Sequence, residues 1–345
     1  MTNGRPGPDR TTIRHWTTPA GLSVRIRLGQ GGWVLTVIVA LTANTILAIL
    51  KSIVAAVTGS ASMVAEAAHS WADAGNEVFL VIAERRSEKP ADPAHPLGYG
   101  REAYVWSMIA AFGLFSVGAA VSVIHGIQSL GAAEEEADYF WAYVVMGAAF
   151  VLEGISFLQA RREVRRGALS ADVSRARFLD QTSDPTLRAV FFEDTAALIG
   201  IVIAVTGLAL HQATGDPVWD AIGSILVGLL LGWVAVYLLR RNMAFLVGQV
   251  ADPRIYDTVL GWLRERPEVQ TVNTLHLEYV GPERLFLVGS VDLVGDDVES
   301  AAAEELQRLE DHLEQRPEIQ RAVLSLAAPG RPPSVGGAYG NNDDG

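Results

Sequence analysis

The chain has 345 residues, half of them hydrophobic and only 19% charged, a composition that excludes a disordered protein or a long coiled coil. It contains no cysteine, which excludes disulfides, thiolate metal ligands, iron–sulfur clusters and thiol catalysis. The formal net charge of −12 argues against nucleic acid as a partner, and any transition-metal site must be built from His, Asp and Glu.

The first part of the chain is polar and rich in arginine, and we predict that residues 1–32 are a flexible cytoplasmic leader. Six mainly apolar stretches follow, each about as long as the ~20 residues that cross a bilayer. These predicted spans are residues 32–57, 60–83, 104–130, 141–158, 189–210 and 218–239. A secretory signal peptide is the alternative for the first stretch, but both its apolar run and its leader are too long.

Basic residues occur in every second connection between the predicted spans. Lysine and arginine occur in the leader and after the second, fourth and sixth spans, whereas the other three connections have none. Because basic loops stay on the cytoplasmic side, we expect both termini to be cytoplasmic. Arginine far outnumbers lysine, as in proteins from GC-rich genomes, so we expect a multi-pass protein of a bacterial plasma membrane.

The pattern changes after residue 241. A helix is predicted over residues 253–266, strands over 272–279 and 285–294, a second helix over 298–315 and a last strand over 322–326. The predicted fold is thus an α-helical polytopic membrane protein, with six transmembrane helices in residues 33–241 and a small cytoplasmic α+β (αββαβ) domain in residues 242–328. Residues 329–345 are expected to be a disordered tail.

Ionisable side chains lie in the second predicted span, where each is costly and indicates a function. His69 and Asp73 are four residues apart and share one helical face, with Glu66 one turn before and Glu77 one turn after. An imidazole and a carboxylate at this spacing can occupy two positions of a tetrahedral Zn²⁺ site. The alternative is a structural polar seam that is hydrogen-bonded to other helices.

The fifth and fourth spans carry carboxylates as well. Glu193 and Asp194 point about 100° apart on their helix, so at most one of them directly faces a given partner. Asp194 lies at a depth similar to that of Asp73, which favours a site shared between the two spans. Glu153 stands alone in the fourth span, where it is either a ligand or a pairing carboxylate outside the site.

Other residues and missing motifs narrow the function. Lys51 is expected to snorkel to the membrane interface, and Asp92 and His95 in the loop after the second span could form a second metal site. The chain lacks the phosphate-binding motif of ATP-driven pumps and the common hydrolase motifs. Buried carboxylates and a histidine suit exchange of a metal for protons, because these ligands deprotonate to bind the ion.

The motifs in combination resemble the cation diffusion facilitator family. The resemblance rests on residues 59–73 and 95–100, and residues 184–200 are similar to the branch of the mitochondrial zinc transporter 9 proteins. It extends from about residue 35 to residue 326. The resemblance implies a homodimeric secondary transporter that exchanges a divalent metal, usually zinc, for protons and has no prosthetic group.

The resemblance also implies a ligand set. The family's transport site uses two residues four apart on the second span, matched by His69 and Asp73, and two four apart on the fifth, of which Asp194 matches the second. Val190 stands at the position of the fourth ligand and cannot bind metal. The fourth ligand is left open among Glu193, Glu66, Glu153 and a water molecule, with Glu193 preferred.

The resemblance weakens at two other sites. Asp92 and His95 match loop positions that can hold a second ion, but Tyr99 stands where a further histidine often occurs. The cytoplasmic domain lacks histidines that zinc-sensing relatives place there, so we expect it mainly to dimerise.

The leading hypothesis is a secondary transporter that exports a divalent metal from the cytoplasm in exchange for protons, with Zn²⁺ preferred and Mn²⁺, Co²⁺ or Fe²⁺ as alternatives. Its expected partners are the ion, protons, the lipid bilayer and a second copy of the chain. Two other readings are left open: an intramembrane metal-dependent enzyme with the same ligands, and a metal-sensing membrane protein that does not transport.

Overall fold

The computed structural model describes residues 30–131, 138–295 and 298–328, with side chains from residue 41 onward. The described residues form nine helices and three strands. The helices are α1 (Gln30–Thr58), α2 (Ala61–Ser87), α3 (Glu102–Ser129), α4 (Phe140–Ser170), α5 (Arg175–Gln181), α6 (Pro185–Thr214), α7 (Val218–Val247), α8 (Pro253–Arg264) and α9 (Glu299–Glu314). The strands are β1 (Val269–Gly281), β2 (Arg284–Leu293) and β3 (Ile319–Leu326). Nearly all of the predicted leader, and all of the predicted tail, lie outside the described residues.

Five helices in the described residues are long and apolar enough to cross a membrane, namely α1 (over Leu41–Thr58), α3, α4, α6 and α7. The remaining predicted span, α2, has too many charged residues to meet that criterion. Its 27 residues nevertheless extend about 40 Å, and it packs against α1, α3, α6 and α7. Because α2 runs among the apolar helices, it completes a bundle of six long helices, and its crossing of the membrane stays a prediction.

The helices enclose a polar interior. α2 packs against α1 and α6, and α4 packs against the same two helices, so these four form a ring. α3 and α7 pack on each other and on the outer side of α2. The polar face of α2 therefore lies within protein rather than in lipid, as a helix carrying several charges requires.

The start of α2 is fixed by a buried carboxylate from α7. Asp220 accepts hydrogen bonds from the Ser60 hydroxyl at 2.9 Å, from the Ala61 N–H at 2.5 Å and from the Ser62 N–H at 3.3 Å. These donors include N–H groups that a helix leaves unsatisfied at its first turn. Asp220 is only 3% exposed, so it closes the end of the bundle that contains the α1–α2 turn.

Replacing Asp220 with Ala should therefore destabilise the membrane domain by at least about 2 kcal/mol, because each buried donor left unsatisfied costs about 1–3 kcal/mol. Thermal unfolding of the detergent-solubilised protein measures the effect. The matched control is Asp216→Ala, since Asp216 is exposed and its carboxylate accepts from the Val218 N–H at 3.0 Å. Equal unfolding temperatures for the two variants would show that the buried cap is not needed.

The short helix α5 was not predicted. Its first turn is capped by the Ser174 hydroxyl, which accepts from the Arg177 N–H at 3.2 Å. It is anchored through Asp180, which pairs with Arg241 and accepts from the Tyr237 hydroxyl at 3.2 Å. These contacts are far apart in sequence, and seven residues are too few for a clear helical periodicity.

The C-terminal domain has the predicted αββαβ order. β1 and β2 form an antiparallel hairpin, and α9 connects β2 to the parallel strand β3, giving the sheet order β1-β2-β3. Along β2 and β3 the side chains alternate between buried and more exposed. The buried face packs with α8 and α9 around a core that includes Leu263, Leu277, Leu287 and Leu313.

The C-terminal domain docks on the membrane domain at the end opposite the α1–α2 turn. Gly100, just before α3, lies against the backbone of Val280 and Gly281 so closely that a Cβ there would be 2.6 Å from the Val280 carbonyl oxygen. Arg101 forms an ion pair with Glu278 beside this contact. The docking is therefore a close backbone approach reinforced by a charged pair.

Candidate functional site

Two side chains on α2 form the centre of the candidate site. His69 Nε2 lies 3.4 Å from Asp73 Oδ1, and the two side chains are 2% and 14% exposed. Both of these atoms are buried, and neither has a hydrogen-bond partner. An imidazole nitrogen and a carboxylate oxygen that face each other at this distance are two atoms that could bind one metal ion.

Asp73 belongs to a group of five carboxylates from three helices, which we call the acidic cluster: Asp73, Glu77, Glu153, Glu193 and Asp194. Asp73 interacts electrostatically with each of the other four. The cluster lies within the ring of α1, α2, α4 and α6, where water is scarce and charge is costly. The arrangement is therefore suited to holding cations, whether metal ions or protons.

The two carboxylates of α6 diverge, as their adjacent positions predict. Asp194 faces α4 and accepts from the Ser156 hydroxyl at 2.7 Å. Glu193 faces α2 and accepts from the Asn76 side-chain amide at 2.6 Å, while its Oε1 is buried without a partner. The two α6 carboxylates thus bond to different helices of the ring, Asp194 to α4 and Glu193 to α2.

Lys51 does not snorkel, and that prediction is wrong. Its side chain is 2% exposed, and its ammonium lies 2.9 Å from Glu66 Oε2. α1 and α2 form a hairpin through the turn at Gly59, so the two residues lie at similar depth on neighbouring helices. The ion pair offsets the cost of burying either charge alone, which outweighs the pull of the interface on a lysine.

The candidate ligands do not form a closed coordination shell. Within the described part of the chain, no three His, Asp or Glu side chains are arranged to hold a metal ion. Val190, one turn before Asp194 on α6, is half-buried and offers no ligand atom. The structure brings His69 to Asp73 and places Glu153, Glu193 and Asp194 near enough to Asp73 to interact with it electrostatically.

The loop between α2 and α3 holds Asp92 and His95 on the surface. His95 Nδ1 lies 3.5 Å from Asp92 Oδ1. Asp92 is already engaged, because it accepts from the Tyr99 hydroxyl at 2.7 Å and from the backbone N–H groups of Ala94 and His95. The Tyr99 hydrogen bond, followed by those backbone bonds, lowers the pKa of Asp92 below its ordinary value. The same bond raises the pKa of Tyr99. Asp92 thus has a structural role that a second ion would have to displace.

Replacing Tyr99 with Phe should raise the pKa of Asp92, because the carboxylate loses the hydroxyl that most favours its charged form. The carboxyl ¹³C shift of labelled aspartate, followed through an acid titration, measures the midpoint. Tyr143→Phe is the control, since the Tyr143 hydroxyl donates to Gln212 rather than to a carboxylate. An unchanged Asp92 midpoint in Tyr99→Phe would contradict this view of the loop.

With this geometry established, comparison with known proteins identifies the fold family. The family model of the cation efflux transmembrane domain matches residues 37–247, which are more than half of the chain and contain the whole acidic cluster. The chain belongs to the cation efflux family. This is the cation diffusion facilitator family that the motifs resemble, so the predicted membership is confirmed. Members of the cation efflux family are transport proteins and not enzymes, as predicted here.

Similar proteins come from several kingdoms. Metal tolerance protein C4 of Arabidopsis thaliana is 34% identical over 285 residues, which are 83% of this chain and 62% of that protein. The mitochondrial proton-coupled zinc antiporter SLC30A9 of Homo sapiens is 32% identical over 259 residues, 75% of this chain and 46% of the antiporter. Magnetosome protein MamB of Paramagnetospirillum magneticum is 25% identical over 247 residues, 72% of this chain and 78% of MamB.

These cation efflux relatives differ from the chain in length and come from different cellular locations. The chain spans about half to three fifths of the length of the plant and human proteins that it matches. The human relative is mitochondrial by name, whereas MamB is bacterial, so the relatives do not favour the predicted bacterial plasma membrane. The multi-pass membrane location is shown, and the compartment and the cytoplasmic termini stay predictions.

Sequence reasoning missed several polar partners of the acidic cluster. Besides the Lys51–Glu66 pair, these are Asn76, Ser156 and Asn44, whose side-chain amide donates to Glu77 at 2.6 Å. Asn76 follows Asp73 by three residues and Ser156 follows Glu153 by three, so each shares a helical face with a carboxylate. That spacing is the signal that could have identified both residues.

Proposed function

We propose that this member of the cation efflux family is a secondary transporter that exports a divalent metal in exchange for protons, with Zn²⁺ as the preferred ion. The observation that carries the proposal is the buried pair of His69 Nε2 and Asp73 Oδ1, both without hydrogen-bond partners, at the centre of the acidic cluster. This geometry supports a divalent cation that the two side chains would bind together.

The proposed ligands of the transported ion are His69, Asp73 and Asp194, with a fourth position to be filled in place of Val190. Glu153 suits that position, because it faces Asp73 from α4 and no hydrogen bond from the described residues engages it. Glu193 is the alternative, although its Oε2 already accepts from Asn76. One imidazole and two or three carboxylates form a set that Zn²⁺ accepts readily, and harder ions such as Mn²⁺ would use the same oxygens.

Proton exchange follows from the same residues. In the absence of metal, several carboxylates crowded in a water-poor interior are stabilised by taking up protons, since neighbouring like charges disfavour ionisation. Binding a divalent ion favours their ionised forms and releases those protons. An ion that enters from the C-terminal-domain end, which we take as cytoplasmic, would thus move against protons as the helices rearrange.

We also propose that the chain acts as a homodimer. The sheet face that does not pack on α8 and α9 carries Val288 and Val323, which are opposite each other on β2 and β3 and are about 40% exposed. An exposed apolar pair on an otherwise solvated sheet supports a partner surface, and a second copy is the simplest occupant.

Reconstitution tests the proposed function. Proteoliposomes that contain the purified chain should take up Zn²⁺ when a pH gradient is imposed, and a protonophore that collapses the gradient should abolish the accumulation. Equal zinc uptake with and without the pH gradient would contradict proton coupling. Metal binding without uptake would favour a sensor, and metal-dependent hydrolysis without uptake would favour an enzyme; either result would overturn the proposed transport.

A further inference from the structure

The Lys51–Glu66 pair is not explained by metal binding alone. The ammonium and the carboxylate are 2.9 Å apart, and both side chains are at most 2% exposed. A lysine so deep in a membrane domain is rare, and one next to a site for cations opposes binding through its charge. Lys51 also interacts electrostatically with Glu153 and Asp73, so its charge reaches the acidic cluster.

The position of Glu66 shows what Lys51 restrains. Glu66 precedes His69 by three residues on α2, and its free oxygen, Oε1, is buried without a hydrogen-bond partner. Gly200 of α6 lies directly over it: a Cβ at Gly200 would be 2.8 Å from Glu66 Oε1 and 3.8 Å from His69 Nδ1. Glu66 Oε1 therefore lies near His69 on the Nδ1 side of the imidazole, and a change of rotamer is needed to bring it towards an ion at Nε2.

The charges decide whether that movement occurs. An ammonium in contact with one oxygen holds the Glu66 side chain towards α1, away from Asp73, which lies on the other side of His69. A coordination shell that gained the Glu66 carboxylate would bind Zn²⁺ more tightly. A transporter must also release its ion, so tighter binding would slow transport. A fixed cation that keeps one carboxylate out of the shell would serve that need.

We propose that Lys51 is a positioning residue that withholds Glu66 from the transported ion, so that the site binds the ion weakly enough to release it. The inference rests on the proposed function. It assigns Lys51 an effect through Glu66, in addition to the direct electrostatic effect of its charge on the acidic cluster, with no contact between Lys51 and the ion. The pair also links α1 to α2, so a purely structural role is the competing explanation that the experiment must separate.

The test uses the full chain and three variants: Lys51→Gln, Lys51→Arg and the double variant Lys51→Gln/Glu66→Gln. Zinc dissociation constants are measured by calorimetry in detergent, and maximal uptake is measured in proteoliposomes. In Lys51→Gln the freed carboxylate should tighten zinc binding by about tenfold or more and lower maximal uptake, within the range that neighbouring residues exert on metal affinity. Lys51→Arg keeps the charge and should behave like the parent.

The double variant distinguishes the two explanations and remains informative if Lys51→Gln fails to fold. It removes both charges, so it should bind zinc with an affinity close to that of the parent, because Glu66 is not a ligand there. Weaker binding in the double variant would overturn the proposal, as would Lys51→Gln with unchanged affinity. If the parent itself neither binds nor transports zinc, it is the proposed function that fails.

Discussion

Replacing Asp73 with Asn should abolish zinc uptake by reconstituted protein. The substitution keeps the size of the side chain but removes the charge that lies 3.4 Å from His69 and interacts with every other member of the acidic cluster. Loss of an outer partner of a metal site costs 10–100-fold in affinity, so loss of a direct ligand should weaken zinc binding by more than about 100-fold.

The control for this prediction is Asp257→Asn, which makes the same chemical change at an exposed position of α8. It should leave uptake at the parent's level, and both variants should keep the parent's helical content. Asp194→Asn should impair uptake in the same way as Asp73→Asn, because Asp194 is a proposed ligand that interacts electrostatically with Asp73. Parent-like uptake in both site variants would remove the acidic cluster from the transport mechanism.

Replacing Gly100 with Ala should loosen the docking of the C-terminal domain. The new methyl group would lie 2.6 Å from the carbonyl oxygen of Val280 and 2.8 Å from the Cα of Gly281. Both are backbone atoms, which cannot turn aside as a flexible side chain can, so the overlap should cost at least about 1–3 kcal/mol. A lower unfolding temperature and faster proteolysis of residues 248–252, between the two domains, would report the change.

The matched control is Gly261→Ala in α8, where a Cβ has no neighbour within 4 Å. That substitution should be neutral or slightly stabilising, because alanine favours a helix over glycine. The account of the docking contact fails if Gly100→Ala is as stable and as protease-resistant as Gly261→Ala.

The helices and strands could largely be predicted from the sequence because their signals are local. Apolar length identified the membrane helices, and the alternating runs around Gly281 predicted the β1–β2 hairpin of the C-terminal domain. α2 was recognised as a span from its length despite its charges, and its polar residues recur at the spacing of one helical face. That same periodicity correctly predicted that His69 and Asp73 would be neighbours.

The remaining features depend on contacts between helices, which no local pattern contains. The burial of Lys51 depends on Glu66 lying opposite it on α2, and an isolated lysine near a span end favours the interface instead. The separate directions of Glu193 and Asp194 were predictable, but their partners Asn76 and Ser156 depend on how α6 packs against α2 and α4. The helix α5 likewise depends on Tyr237 and Arg241 from α7.

The most direct test of the central claim is to locate zinc in the protein by anomalous scattering at the zinc absorption edge from crystals grown with the metal. We predict a peak within about 2.0–2.2 Å of His69 Nε2 and of carboxylate oxygens of Asp73 and Asp194. Zinc bound only at Asp92 and His95, or within the acidic cluster but away from Asp73, would contradict the account.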